Sequence, residues 1–598
     1  MQEQSEAEPQ QQELQRPKNI AGQKIKKKKV KSKEEEERTF SDRFIRLSMR
    51  LTRAPTMFLV KRIPGIRDDI LRSNVNISPE GIISVAMFLA YLMIPVAAVG
   101  AFVMYSMHFD LGIIAMPLIP VIPLIGGISI YKVSASSRGS ALENEIPYLI
   151  GYITVLAGGG ISPLVTIKRI AKAGKIFPAA AREARRILLD IEIFGLDPMS
   201  ALEKAAKYTP NRMFSDFIGG YVAVLKSGGD AVSYLESKLK EVFNYREVRV
   251  RASSEFIGTM AEAYIISTVI MGVSFVILYA TQYLFAPGAQ SPDPTMMLLF
   301  SGVFVPVISM IFITVIGSSQ IKEPIGYDLP MYIFLACTPI AAVFFFVPMG
   351  LPIYDQLGIG LALTSSPAAI VNYIHVKRNR AVESRLANFL RDISEIRKTG
   401  LSPEKTIETL AGRNYGGLTE HVKKISAQLS WGTPIRTVLE NFSASVKSWI
   451  TQAMAFLLLE VVDVGGGSSR MFIALADFTE KNAQLNKEKK SMVRPYLIIP
   501  YIGAIMVVVT TAMMIYFVSA PDLNAAGGAG QYLSSPAVMQ ETTTILLTAS
   551  FFQAWVMGIV AGKMGENTVA DGFKHATFLI IISLATVLIA QPLINMAG

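Results

Sequence analysis

The stretch at 156–172, LAGGGISPLVTIKRIAK, places three glycines and a Ser-Pro ahead of Lys168, Arg169 and Lys172. Glycines running into a lysine invite a phosphate-binding reading, in which backbone N–H groups and an ammonium hold a nucleotide. That loop requires GxxxxGK[ST] between a strand and a helix. Here no GK[ST] follows, the preceding residues carry a helical pattern, and Pro163 removes a donor where one is wanted. VGGGSSRM at 464–471 fails in the same way. No nucleotide or other cofactor is expected.

The remaining chemically capable residues are scattered. His108, His375, His421 and His575 lie far apart and form no HExxH, so no metal site is expected. The single cysteine, Cys337, sits in an apolar run and excludes an intrachain disulfide framework. KSGGD at 226–230 approaches the GxGD of an intramembrane aspartyl protease, but it lacks the first glycine and Asp230 sits in a polar region. Ion-coupled transport places ionisable groups at membrane depth. Only Glu262 is a candidate, and its place near the end of an apolar run reads as an interfacial carboxylate paired with a nearby base. No catalytic residue is assigned.

The elements that would carry these residues are membrane helices. The chain has 598 residues, is 51% hydrophobic and 18% charged, and has a mean hydropathy of +0.38. A soluble chain of this size carries more charge. About 20 apolar residues cross a bilayer as a helix. Nine such segments are expected, near 82–106, 111–131, 256–285, 295–319, 329–348, 356–375, 495–519, 542–563 and 574–596. Pro117, Pro120 and Pro123 make 111–131 the least regular of them. The expected organisation is a charged tail at 1–39, juxtamembrane helices at 40–81, and spans at 82–131. A polar insertion at 132–255, spans at 256–375, a second insertion at 376–494, and spans at 495–598 follow.

Charge orients this arrangement, because cytoplasmic segments retain Lys and Arg. With the N-terminus inside, 18 Lys+Arg fall in 1–81, 18 in 132–255 and 19 in 376–494, and Lys322, Lys563 and Lys574 share that side. The other side carries Asp110, Asp293, Asp355, Asp522 and Glu541 and no basic residue. The C-terminus is therefore expected outside. The net charge of +11 is a membrane-topology signal and gives no expectation of nucleic-acid binding. The first residues, MQEQSEAEPQQQ, have no apolar core and give no expectation of a cleavable signal. The lysine block that follows suits anionic lipid headgroups, and 40–62 suits a helix along the inner membrane surface. Ser78, Pro79 and Glu80 read as a cap opening the first span.

The two insertions echo each other. ENEIPYLIGYITVLAGGGISPLVTIKRIA from Glu143 aligns with ESRLANFLRDISEIRKTGLSPEKTIETLA from Glu383, an offset of 240 that pairs Gly160, Ser162 and Pro163 with Gly400, Ser402 and Pro403. Farther on, an offset of 237 pairs Gly195 with Gly432, and Gly228 and Gly229 with Gly465 and Gly466. Apolar residues recur at three- and four-residue steps, so each insertion is expected to be an all-helical bundle. Serine as cap, proline at the first position and glycine at the preceding helix end read as a corner.

This pairing, with the two-four-three span layout and RDDILRSNVNISPEGIIS at 67–84, resembles the type II secretion system F domain family. It is most similar to its archaeal branch, the platform proteins of the archaellum and of archaeal type IV pili. The resemblance covers roughly 60–598. It implies an all-α, polytopic, non-enzymatic scaffold in the cell membrane, acting as a homodimer. It also implies a hexameric secretion ATPase on the cytoplasmic side and pilin or archaellin subunits as cargo. The insertions carry net charges of +5 (18 minus 13) and +7 (19 minus 12), which suits an acidic ATPase face. Candidate contacts are Lys168, Arg169, Lys172, Arg182, Arg185 and Arg186, with Arg397, Lys398 and Lys405 in the second insertion. The competing reading is a transporter or protein-export channel gated by the two bundles.

Overall fold

The computed structural model describes residues 44–62, 66–73, 75, 77–106, 119–274, 277, 300–320, 327–347, 349–464, 469–519 and 536–597. Among them every regular element is a helix. The lysine-rich tail and the pair Gly465 and Gly466 lie outside the described residues. The chain divides into two compact units, Met1–Ser140 with Lys207–Arg212, and Ala141–Ala206 with Met213–Gly598.

In the first unit, helix Pro79–Ser106 opens as its sequence demands: the Ser78 hydroxyl accepts the Gly81 N–H at 3.2 Å. The juxtamembrane helices pack on it through a seam of small hydroxyls. Thr52 Oγ1 donates to the Ser84 carbonyl at 3.3 Å, and Ser84 Oγ donates to Thr56 Oγ1 at 3.2 Å. The buried stripe of this segment is therefore Ser48, Thr52 and Thr56, while Arg46, Arg50 and Arg53 are exposed. Leu47, Leu51, Met57 and Phe58 point outward, available to lipid.

The second unit contains the second insertion, the first insertion apart from residues 132–140 and 207–212, and most of the apolar helices. The first insertion runs through the end of Val121–Ala157, then Pro163–Lys172, Pro178–Glu192, Pro198–Tyr208, Arg212–Lys226 and Ala231–Ile265. The second runs through Ile353–Arg397, Pro403–Leu410, Thr419–Ser430, Ile435–Ser445, Trp449–Asp463 and Ser469–Val493. Helix ends repeat at the sequence offsets: 240 separates Arg397 from Ala157 and Pro403 from Pro163, and 237 separates Asp463 from Lys226. The corners are left-handed. Gly160 and Gly400 have φ of 79° and 87°, and Gly195 and Gly432 have φ of 67° and 78°, a region costly for residues with a Cβ. The capping differs between copies. Ser402 Oγ accepts the Lys405 N–H at 3.3 Å, whereas the Ser162 hydroxyl makes no cap bond. Only the Ser162 carbonyl serves its helix, accepting from Thr166 at 3.2 Å.

Among the described residues seven helices are long and apolar enough to cross a membrane, against nine expected segments in the whole chain. The apolar part of Leu329–Phe346 is shorter than the other seven. At 18 residues the helix rises roughly 27 Å, just under a hydrocarbon core. Of the segment 111–131, residues 111–118 lie outside the described residues. The rest begins helix Val121–Ala157, which continues past the apolar stretch as one 37-residue element.

Between the apolar helices, hydroxyls and amides pair with one another. Tyr264 and Ser309 share a hydrogen bond at 2.9 Å, and Thr511 and Ser550 one at 2.8 Å. Helix Ala231–Ile265 continues into a π-helical turn, Ile266–Ile270. A π turn leaves carbonyls without their usual partners, and Gln553 donates to the Thr268 carbonyl at 3.0 Å. Helices Pro536–Glu566 and Gly572–Ala597 meet at backbone distance. A Cβ on Gly558 would lie 2.3 Å from Ala576 Cα, and one on Gly562 would lie 2.1 Å from Gly572 Cα. This is the small-xxx-small approach of membrane helices. Gly562→Leu is expected to cost about 3 kcal/mol by overpacking. Size-exclusion profiles of the detergent-purified variant should then show loss of the monodisperse peak that wild type gives.

Candidate functional site

Helix Trp449–Asp463, WITQAMAFLLLEVVD, has Glu460 and Asp463 three residues apart in an otherwise apolar sequence. That spacing puts both carboxylates on one face. The helix is nearly all buried, and its neighbours come from both insertions. Trp449 stacks edge-on against Tyr148 with ring centres 4.6 Å apart and against Phe177 at 6.2 Å. Its indole N–H donates to the Ile176 carbonyl at 2.7 Å. Phe456 meets Tyr152 and Phe177, while Phe478 meets Tyr148 and Phe243. Gly151 makes room for Phe478, since a Cβ there would sit 2.5 Å from the ring. The two repeats thus close over a single core.

The carboxylates bolt this core at one edge. Tyr152 donates to Glu460 at 3.0 Å, and Arg169 Nη1 reaches Glu460 at 2.7 Å and Asp463 at 3.0 Å. Arg436 Nη2 pairs with Asp463 at 2.6 Å. The Arg436 hydrogen bond outweighs burial and, with Arg169, holds the Asp463 carboxyl below the usual carboxylate range. Burial, then the nearby Glu460 charge, pushes the Tyr152 hydroxyl up. A lone carboxylate in this apolar contact would be costly, and the pairing removes that cost.

A second buried carboxylate fixes a helix start. Glu145 accepts the N–H groups of Ala179 at 3.1 Å and Ala180 at 2.7 Å, at the N-terminus of Pro178–Glu192. Burial pushes its carboxyl up to about 7, against the lowering pull of Ala180, Ala179 and Arg182.

The hollow lined by Glu143, Asn144, Pro147, Val242, Tyr245 and Arg246 holds little more than a water molecule. Three histidines are in separate settings. His375 stacks on Tyr327, His421 lies edge-on to Phe442, and His575 shares a hydrogen bond with Tyr501; His108 is outside the described residues. Glu262 lies on an exposed helix face.

The candidate basic residues differ in their surroundings. Lys168 pairs with Glu192 at 3.1 Å, and Lys405 with Glu408 at 2.7 Å. Lys172, Arg182, Arg185 and Lys398 are exposed, and Arg186 is half-buried. Arg397 donates to the Leu401 carbonyl and lies over the Phe472 ring. Arg169 differs in that both its carboxylate partners, Glu460 and Asp463, come from the other copy. Glu460, Asp463, Arg436 and Tyr152 were not singled out from the sequence. The signal was present in Glu460 and Asp463, two acids sharing one face of an apolar helix.

Two stretches, 149–279 and 389–516, match the family described as type II secretion system (T2SS), protein F. Their starts are 240 apart and their ends 237 apart, the offsets of the internal repeat. The chain is also 22% identical over 502 residues to an uncharacterized protein of Methanocaldococcus jannaschii, covering 77% of this chain and 82% of the relative. No solved structure matches it.

Arg169→Ala is expected to destabilise the second unit by about 2–4 kcal/mol, because Glu460 stays buried without its cation. Adding Glu460→Gln should recover part of that loss in thermal unfolding of the detergent-solubilised protein. Glu145 gives a pH test. Its folded pKa of about 7 exceeds the ordinary glutamate value of 4.5, so the folded state holds the proton more tightly. The resulting stabilisation is fully present below the unfolded pKa and is lost as pH rises to the folded value. Against Glu145→Gln, wild type should therefore lose melting temperature between pH 5 and pH 8; a constant difference would show that Glu145 is ionised throughout.

Proposed function

We propose that this chain, a type II secretion system F-domain protein by its two domain copies, is the membrane platform on which an archaeal type IV pilus-like filament, archaellum or pilus, is assembled. A hexameric secretion ATPase engages the fused bundle on the cytoplasmic side. Its cycle moves the platform, and pilin or archaellin subunits pass from the bilayer into the filament base. The platform acts as a homodimer in the cell membrane, with the N-terminus inside and the C-terminus outside, an orientation that the sorting of basic residues supports.

The observation that carries this reading is mechanical. Three continuous helical runs, Ala231–Ser274, Ile353–Arg397 and Ser469–Tyr516, pass from the shared core into apolar segments over 44, 45 and 48 residues, the first through the π turn Ile266–Ile270 and the last through a 3-10 turn at Arg494–Leu497. At the helical rise each spans roughly 65–70 Å. A close-packed core transmits displacement, so force on the bundle reaches the membrane helices directly. The match to an archaeal relative supports the archaeal assignment. The contact set is the basic surface of the two copies: Lys168, Lys172, Arg182, Arg185 and Arg186 with Lys398 and Lys405, while Arg169 and Arg397 hold the fold beneath it.

The test is co-purification with the secretion ATPase of the same organism, together with imaging of a deletion strain. Loss of filaments and a stable complex are expected. Normal filaments and no ATPase bound would overturn the reading. Reversing Arg182, Arg185 and Arg186 to glutamate should weaken ATPase binding about tenfold at low salt, with membrane insertion unchanged, and the difference should shrink at high salt.

A further inference from the structure

Phe194 and Trp431 occupy the same place in the two copies, 237 residues apart. Each directly precedes a left-handed glycine, Gly195 or Gly432. Each is followed by an equivalent helix, Pro198–Tyr208 or Ile435–Ser445. Both rings are turned outward: Phe194 is 65% exposed and Trp431 82%, with Ile193 beside Phe194 at 70%. The contrast with the same residue types elsewhere is sharp, since Trp449 is buried in the core and Trp555 packs against Phe334 and Phe552.

The turns that hold the rings out are well ordered. Phe194 N–H donates to Leu189 at 3.2 Å and Leu196 N–H to Asp190 at 3.0 Å; Trp431 N–H donates to Ala427 at 3.2 Å and Thr433 N–H to Gln428 at 3.1 Å. A ring on a preorganised turn loses little freedom on binding. Each turn is also tied to the same landmark. Glu203, in the helix after Phe194, pairs with Lys226, and Arg436, in the helix after Trp431, pairs with Asp463. Lys226 and Asp463 are equivalent residues that end their helices, and the next helix in each copy runs back to an apolar segment. The aromatic tips therefore stand at the end of the bundle remote from the membrane helices. Along Ile353–Arg397 that end lies on the order of 30 Å past the apolar half, beyond the reach of a bilayer surface.

We propose that Phe194 and Trp431 are matched anchors that enter two copies of one apolar, acid-rimmed pocket on a homo-oligomeric soluble protein. The inference rests on the reading that a hexameric secretion ATPase is the partner, and it names the residues that seat it. Equivalent rings on equivalent backbone present one shape twice, which suits a partner whose symmetry repeats one surface. Lys204, paired with Asp190 at 2.6 Å, lies 5.8 Å from the Phe194 ring centre, and Arg436, paired with Asp463 at 2.6 Å, follows Trp431 in sequence; the uncompensated charge around the anchors is that of the copies as a whole, +5 and +7. That net positive charge favours carboxylates around the receiving pocket. Exposed aromatics of this kind dominate interface energetics once buried.

The experiment measures binding of the purified secretion ATPase of the same organism to the full chain in nanodiscs, for wild type, Phe194→Ala, Trp431→Ala and the double variant. Each single change is expected to weaken binding about tenfold and the pair about a hundredfold, with unchanged thermal unfolding because both rings are exposed. Trp431 emission should move to shorter wavelength when the ATPase binds, and that shift should be missing from Trp431→Phe. Wild-type affinity in the double variant overturns the anchors and leaves the platform reading intact. Loss of binding from only one of the two single changes overturns the matched pair. No ATPase binding by wild type removes the platform reading itself, and this inference with it. Light scattering covers the remaining case: dissociation of a wild-type self-complex by the double variant would assign the rings to a second copy and overturn the proposal.

Discussion

The structure of the second unit depends on a carboxylate that cannot be left alone. Glu460 sits in an apolar helix at the contact between the two repeats, where an unpaired charge costs several kcal/mol. Its partners, Arg169 and Tyr152, both come from the other copy. The second repeat therefore completes its own core only when the first is folded against it. Asp463 extends the constraint by holding Arg169 and Arg436 together. Slipping this contact by one helical turn would separate the charges and misplace Trp449 relative to Tyr148 and Phe177. The polar bolt sets the register, and the aromatic cluster supplies the buried area.

That single core changes how the duplication works. Two independent bundles would move separately on their own stalks. Two bundles sharing Tyr148, Phe177, Trp449 and Phe478 behave as one block from which three helical runs enter apolar segments. One of those runs carries the π turn at Ile266–Ile270, whose Thr268 carbonyl is held by Gln553 from another apolar helix. Farther along the chain, Gly558 and Gly562 bring two helices to backbone contact. Displacement of the block thus meets a membrane region braced by amides, hydroxyls and close-packed glycines.

Much of this was legible residue by residue. Glycine before Ser-Pro implied a helix end, a left-handed corner and a new start, and both copies have it, because φ sign and proline geometry are local properties. The hydroxyl cap was less secure: Ser402 makes it and Ser162 does not, since the cap bond depends on a rotamer that spacing does not specify. The span at 329–348 was read from apolar length alone, and the helix there is shorter than the others. The basic residues were the least legible. Arg169 and Lys172 look alike in sequence, yet one is engaged with two carboxylates almost three hundred residues away and the other is exposed.

Helicity, enough apolar length for many membrane crossings, the internal duplication and the glycine corners are all written in the order of the residues. Those properties follow from hydropathy, periodicity and backbone sterics, which act over a few residues at a time. That the two copies form one core, that Arg169 holds it, and that Phe194 and Trp431 stand out from equivalent turns emerges first from the folded chain. Pairing and exposure depend on which distant surfaces meet, and the energy of a buried charge or a bare ring is set by that meeting.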